Sequence, residues 1–380
     1  MKHNIIYNSL YQIVNLIIPI ITSPYLARVI GAEGVGISAY TKAVAGYFLL
    51  FAMLGVNNYG NRTIASLNSK GVDVSKCFWE IYSVQFMTSV ASMLIYCIYC
   101  MYSSIIIYQK ALIINSIYVL SSIFDINWFY YGMGEFKFTS IRNIAIKIIS
   151  TIGVFCFVKS KSEIELYVFI VACGYLLSNL ILWINLRKYI KLVPISFKES
   201  IRHIKPIFVL FIPVIAVSIY KLMDKIMLGN LTDISQSGYY ENASNIITMP
   251  LAVITAMGTV MLPRISGLVE LGEHKKIKIY NRDSIRLMMA LCIPFTFGVI
   301  CVADTFVPWF FGEEFYECIR ILQILSLTCP FIALGNVIRT QCLIPYREDY
   351  IYVKATIMGA LINFIINITL IPKIGAVGAA

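Results

Sequence analysis

The sequence predicts an all-α, polytopic membrane protein. Three observations carry that expectation. Over 380 residues, 59% are hydrophobic and only 13% charged, with a mean hydropathy of +0.77. The apolar runs approach the roughly 20 residues that an α-helix needs to cross a bilayer. Basic residues gather in alternate loops, as the positive-inside rule requires. A soluble domain of this size is not so apolar, and the short alternating segments of a transmembrane barrel are missing.

Hydropathy places eleven spans at approximately 5–27, 37–57, 79–101, 105–131, 144–158, 166–186, 207–228, 243–262, 287–311, 318–338 and 351–371. The first follows Lys2, contains Pro19 and Pro24, and has no small-residue cleavage site, so it reads as a retained span and not a cleaved leader. The third ends in a Cys97–Cys100 CxxC within an apolar context, which favours packing over redox chemistry. The fourth closes with Trp128, Phe129, Tyr130 and Tyr131, expected in an interfacial aromatic belt. After the sixth comes the longest basic connection, LRKYIKLVPISFKESIRHIK, a pattern that suits an interfacial segment on anionic lipid or the docking of a cytoplasmic partner.

One set of loops holds Arg62, Lys70, Lys76, Arg142, Lys147, Arg187, Lys205, Arg264, Lys275 and Arg339 among others. The opposite set holds only Lys110, Lys159, Lys161 and Lys373, with Arg28 and Arg320 at span ends. The asymmetry puts the N-terminus and the basic loops in the cytoplasm. It also explains the net charge of +11 without nucleic acid.

The seventh span is the informative one. Between Ile207 and Leu228 it carries Lys221, Asp224 and Lys225, spaced to stack on one helix face. An insertion scale charges roughly 2.5–3.5 kcal/mol for each ion at the helix centre and returns about 0.3–0.6 for each large aliphatic residue or Phe. The thirteen Ile, Leu, Val and Phe residues of the span therefore only about cancel three lipid-facing charges. The charges are expected to face protein or water, with Pro213 bending the backbone.

With Arg28 and Lys42, these residues give an outer-half set of charges that is net positive, while Asp125 lies in the inner half of the fourth span. Ionisable residues inside spans are functional candidates. A cationic cavity with low-dielectric walls selects an anion, phosphate or pyrophosphate above all. A purely structural reading pairs Asp224 with Lys221 or Lys225 along their own helix, and lets Arg28 snorkel to the interface. No phosphate-binding GxxxxGK[ST] loop, HExxH or spaced Cys/His cluster occurs, so no cofactor, metal site or catalytic constellation is expected. His3, His203 and His274 fall in basic-loop segments and cannot form an intramembrane proton chain.

Four stretches, in order, carry a family resemblance. They are NSLYQIVNLIIPIITSPYLARVIGAEGVGISAY near the N-terminus, FDINWFYYGMGEFKFTSIRN in the fourth span, YKLMDKIMLGNLTDISQSGYYENA, and the late IPKIGAVGAA. Over essentially its whole length the chain resembles the O-antigen (Wzx-type) polysaccharide flippases of the multidrug/oligosaccharidyl-lipid/polysaccharide exporter superfamily. One departure is Tyr131, where relatives tend to have glutamine before the glycine. A second is length, since relatives complete a twelfth span.

The resemblance implies two pseudosymmetric six-helix lobes around a central cavity. These would be residues 1–190 and 206–380, joined by a basic cytoplasmic linker at 191–205. It implies passage of an undecaprenyl-pyrophosphate-linked oligosaccharide across the bacterial cytoplasmic membrane by alternating access. Arg28, Lys42, Lys221 and Lys225 would then bind the pyrophosphate, and Asp224 and Asp125 would couple transport to an ion or proton. Implied partners are the lipid-linked oligosaccharide, membrane lipids, a polysaccharide polymerase and a chain-length regulator. The competing classes are a multidrug or cation exporter of the same superfamily, disfavoured by the net positive charge, and a non-transporting scaffold, which has no need of intramembrane charges. A twelfth span begins at Ile374 with seven residues remaining, so a fragment or a truncated second lobe of about eleven full spans is expected.

Overall fold

The computed structural model describes residues 2–102 and 108–380; of residues 2–6, 8, 9, 197, 216, 219–221 and 349 it describes the backbone alone. Thirteen α-helices follow in order among the described residues. They are α1 (Lys2–Met53), α2 (Val56–Ser69), α3 (Ser75–Tyr102), α4 (Gln109–Leu120), α5 (Asn127–Gly132), α6 (Phe136–Phe157) and α7 (Ile164–Leu186). Then come α8 (Phe197–Ile201), α9 (Ile204–Leu231), α10 (Ile234–Glu270), α11 (His274–Phe311), α12 (Cys318–Ile338) and α13 (Asp349–Ile374). Among the described residues nine helical stretches are long and apolar enough to span a membrane, the first of them 60 residues long. That first stretch carries the first two spans read from the sequence, and α9 carries the seventh. The chain is a multi-pass, all-α membrane protein.

The outward faces fit that solvent. On α1, Leu10, Ile13, Ile17 and Ile21 are exposed at helical spacing, and on α13 so are Met358, Leu361, Ile362 and Ile365. Stripes of this kind in water would mark an aggregation surface, whereas lipid covers them at no cost.

The helices form two compact units, one of Met1–Ile18 with Ile37–Met223, the other of Pro19–Gly36 with Asp224–Ala380. In the first unit the core gathers where α5 packs on α2, with Phe78 and Ile81 of α3. Trp128, Phe129 and Tyr130 lie wholly buried there, which corrects the expectation that they form an interfacial belt. Each polar tip finds a protein partner: Trp128 Nε1 donates to Gln85 Oε1 at 2.8 Å, and the Tyr130 hydroxyl donates to the Leu182 carbonyl at 2.6 Å. A buried Trp or Tyr whose N–H or O–H is satisfied this way contributes large apolar area without a desolvation penalty. Tyr131 is the exception, half-buried and stacked on Phe136 at 5.5 Å.

The fourth span is not one helix. After α4 a 3₁₀ turn runs from Ser121 to Phe124, Asp125 turns extended (φ −78°, ψ 94°), and α5 restarts at Asn127. A break leaves carbonyls that lipid cannot satisfy. The Gln85 amide, fully buried on α3, donates to the Ser122 and Asp125 carbonyls at 2.8 Å each. Trp183 Nε1 caps the Phe124 carbonyl at 3.0 Å.

In the second unit the segment Pro19–Gly36 of α1 runs against α10. The backbones touch: a Cβ on Gly36 would stand 2.1 Å from the Ile234 carbonyl oxygen, and one on Gly238 would stand 2.1 Å from that of Ala32. Small residues at such a crossing are what let membrane helices approach closely. Five residues earlier, α1 is two helices joined at Gly31 (φ 70°, ψ −178°), a conformation that favours glycine.

Gln85→Leu orphans the Asp125 carbonyl and the Trp128 N–H, and leaves the Ser122 carbonyl only its 3.3 Å bond from the Asp125 N–H. We expect it to destabilise the protein by about 2 kcal/mol, roughly 1 for each orphaned group. Thermal melts in detergent measure this, and a wild-type melt would show that the Gln85 bonds are not what holds the break.

Candidate functional site

Among the described residues each unit carries a buried polar cluster around an acidic residue of its spans. The first centres on the broken fourth span. Asp125 Oδ1 accepts from the Asn127 backbone N–H at 3.0 Å and from its Nδ2 at 2.6 Å, an arrangement that caps the restarted helix. Asn127 Oδ1 in turn accepts from Arg142 Nη2 at 2.8 Å. The same Nη2 donates to Asn143 Oδ1 at 2.6 Å, where the Ser178 hydroxyl also donates at 3.0 Å. Arg142 is only 5% exposed, and its Nε and Nη1 have no hydrogen-bond partner. The sequence places Arg142 among the loop cations; the structure buries it in α6, one turn and a half in from the helix start. Nothing in the residue type separates it from its loop neighbours, and only the chain break at Asp125 brings α5 and α6 close enough to enclose it.

On the same unit Lys42 is exposed, with its Nζ 5.5 Å from the centroid of the Tyr175 ring. Tyr118 packs edge-on against Tyr175 at 4.7 Å. Lys147, a second cation counted with the loops, lies inside α6 and donates to Asn15 Oδ1 at 2.7 Å. Lys221 belongs to this unit by its backbone, and its side chain lies outside the described residues.

The second cluster is built on Asp224, 5% exposed. Its Oδ2 accepts from the Tyr240 hydroxyl of α10 at 2.7 Å, and its Oδ1 accepts from Asn367 Nδ2 of α13 at 2.7 Å. Asn367 also donates to Asn363 Oδ1 at 3.3 Å, one turn back on the same helix. Both carboxylate oxygens are thus held by neutral donors from other helices. The neighbouring Lys225 forms its ion pair with Glu241 of α10, both side chains about three-quarters buried. Of the two pairings expected along α9, that of Asp224 with Lys225 gives way to cross-helix contacts, and that with Lys221 lies outside the described residues. Asn363 and Asn367, at i and i+4 in the otherwise apolar INFIINITL, are the local signal for this arrangement.

Arg28 lies exposed in the same unit, where its guanidinium donates to the Trp309 carbonyl near the end of α11. Close by, Glu314 accepts from the Ala32 backbone N–H at 2.9 Å, satisfying a donor freed by the break at Gly31. Arg28, Asp224 and Lys225 therefore fall in one unit, and Lys42 and Asp125 in the other. Among the described residues no cluster of three or more His, Cys, Asp or Glu side chains could hold a metal.

Broken helices and buried charges satisfied by partners on other helices are features of a membrane transporter. A family model described as "Polysaccharide biosynthesis protein" matches residues 1–269, and the chain belongs to that family. It is 24% identical over 381 residues to a putative O-antigen transporter of Shigella dysenteriae, covering all of this chain and 95% of the relative. Its fold is shared with two solved membrane transporters. A lipid II flippase (MurJ, inward closed) superimposes with a TM-score of 0.79 at 16% identity, covering 100% of this chain and 83% of that one. An inward-facing multidrug resistance MATE transporter of the MOP superfamily superimposes at 0.70 and 13% identity, covering 97% and 89%.

Lys225→Gln or Glu241→Gln alone strands the other partner, and the double substitution removes both charges. We expect each single variant to lower stability and the double to recover about 1 kcal/mol of coupling, the low side of the range for contacting pairs because both groups are partly exposed. Melting temperatures of the four proteins complete the cycle, and strict additivity would dismiss the pair.

Proposed function

We propose that the chain is a flippase that carries an undecaprenyl-pyrophosphate-linked oligosaccharide repeat unit from the inner to the outer leaflet of a bacterial inner membrane, for O-antigen, capsule or exopolysaccharide export. The observation that carries the reading is similarity along the whole chain to an O-antigen transporter, in a chain whose spans hold cations and buried carboxylates. The N-terminus and basic loops lie in the cytoplasm in this reading, on the strength of the loop charge asymmetry. Two lobes, 1–190 and 206–380, joined by the linker at 191–205, alternate access to the two faces.

In this reading Arg28, Lys42, Lys221 and Lys225 bind the pyrophosphate. Arg and Lys match it by charge, and a low-dielectric wall strengthens the attraction. Lys225 must exchange Glu241 for the phosphate, which gives substrate a way to break a contact inside the protein as it arrives. Asp224 couples transport to a proton or cation. Among the described residues its hydrogen-bond partners are neutral, and both oxygens keep acceptor capacity for a coupling ion beyond the bonds from Tyr240 and Asn367. Asp125 is the corresponding candidate on the first unit. A polysaccharide polymerase and a chain-length regulator would receive the product.

In a strain lacking its endogenous flippase, we expect the wild-type chain to restore surface polysaccharide and clear lipid-linked repeat units from the cytoplasmic leaflet. Asp224→Asn, which keeps the shape and can still accept from Tyr240, is expected to lower export at least tenfold at equal membrane abundance. Full export by that variant would remove Asp224 from the coupling role. Failure of the wild-type chain to clear any lipid-linked repeat unit would overturn the flippase reading.

A further inference from the structure

One charged feature of the first unit takes no part in the proposed transport path. The end of α2 and the start of α9 enclose a groove of about 530 Å³. Arg62 and Lys205 stand on it with the hydroxyls of Thr63 and Ser66, and Val209 and Leu210 supply apolar wall. Arg62 and Lys205 are exposed and form no ion pair among the described residues. Among the described residues no carboxylate lines the groove.

The acids nearby are already consumed. Glu80, wholly buried on α3, accepts through Oε2 from Arg202 Nη2 at 2.6 Å and lies 2.8 Å from His203 Nε2. Hydrogen bonding to Glu80 holds the Arg202 guanidinium above its ordinary pKa. His203 is itself buried, where the sequence places it in a solvent-facing loop, and its Nδ1 lies 2.7 Å from the hydroxyl of Tyr59, another groove residue. Glu199 is neutralised by Lys76, whose hydrogen bond lowers its carboxyl pKa. The field in the groove is therefore set by Arg62 and Lys205. From Val209 an exposed apolar strip continues through Ile212 along α9, toward the hydrocarbon layer.

Two unpaired cations beside hydroxyl donors, leading onto an apolar track, match one kind of occupant. We propose that this groove binds an anionic phospholipid of the leaflet next to the basic loops, its phosphate on Arg62 and Lys205 and an acyl chain along Val209 and Ile212. The site is independent of what the transporter carries. Each basic side chain near an anionic membrane surface contributes about fivefold in binding, so two contribute roughly 25-fold.

Native mass spectrometry of the purified full-length chain, titrated with phosphatidylglycerol, phosphatidylcholine and a polyprenyl pyrophosphate, tests the assignment. We expect the wild-type chain to retain phosphatidylglycerol over phosphatidylcholine, and R62Q/K205Q to reduce that preference roughly 25-fold. R62K/K205R should keep most of it, and K275Q/K278Q, at the basic start of α11 in the other unit, should keep all of it. An unchanged preference in R62Q/K205Q overturns the proposal, and so does an equal loss in K275Q/K278Q, which would mean diffuse surface attraction. Displacement of phosphatidylglycerol by equimolar polyprenyl pyrophosphate, in wild type but not in R62Q/K205Q, would reassign the groove to the carried lipid. Both side chains are exposed, so the variants should fold; if the double variant does not, each single substitution is expected to lower the preference about fivefold.

Discussion

Within a hydrocarbon layer no water is at hand to satisfy a broken helix, and much of the first unit depends on how one break is repaired. Gln85 uses three of its hydrogen-bonding positions at the Ser122–Asp125 interruption: two donors to main-chain carbonyls and one acceptor for the Trp128 indole. Gln85, Ser122 and Trp128 are fully buried there, so losing one partner leaves the other with the desolvation cost. With the break held open, Asp125 can cap α5, Asn127 can bridge Asp125 and Arg142, and the aromatic run can turn inward. The polar cluster and the hydrophobic core are then consequences of the same interruption, and neither would form on a straight helix.

The two units handle buried charge in different ways. Around Arg142 the partners are amide oxygens, and two guanidinium nitrogens remain without a hydrogen bond. Around Asp224 the partners are neutral donors, while Lys225 and Glu241 compensate each other one residue away. A carboxylate held by neutral donors keeps its charge available to a mobile cation or proton, whereas one locked to lysine does not. In the proposed cycle this contrast would separate Asp224, held by neutral donors, from Lys225 and Glu241, which neutralise each other. The i, i+3, i+4 spacing in α9 placed Lys221, Asp224 and Lys225 on one face without revealing it.

Much of the architecture was legible because a bilayer imposes a length and a polarity on each segment. Where the structure describes them the apolar stretches fall on helices, the fourth broken at Asp125, and the charges of α9 stand out because they contradict their surroundings. Other features were hidden for physical reasons. A basic residue has the same local sequence whether it is solvated or enclosed, so the sequence reads Arg142 and Lys147 as loop cations where α6 carries both. Trp128, Phe129 and Tyr130 look like interfacial residues by type and position. Only the tertiary partners Gln85 and Leu182, 43 and 52 residues away, make their burial affordable. His203 was placed by its basic neighbours, yet Glu80, 123 residues earlier, supplies the counterpart that lets it be buried.

The fold itself does not choose the cargo, since a lipid II flippase and a multidrug transporter share it with this chain at 16% and 13% identity. Selection has to come from the charges the fold exposes. Cations on helices attract an anionic headgroup, but two of the cations weighed for that role already touch other groups: Arg28 a main-chain carbonyl and Lys225 a carboxylate. Such contacts reduce what each cation can contribute to affinity, because an arriving phosphate gains only the difference between its own bond and the one it displaces. They also make binding consequential, because displacing Glu241 from Lys225 alters the α9–α10 contact beside Asp224. Substrate charge and coupling charge would then act on the same pair of helices, so that arrival of the headgroup is felt one residue from the carboxylate that can change its ionisation.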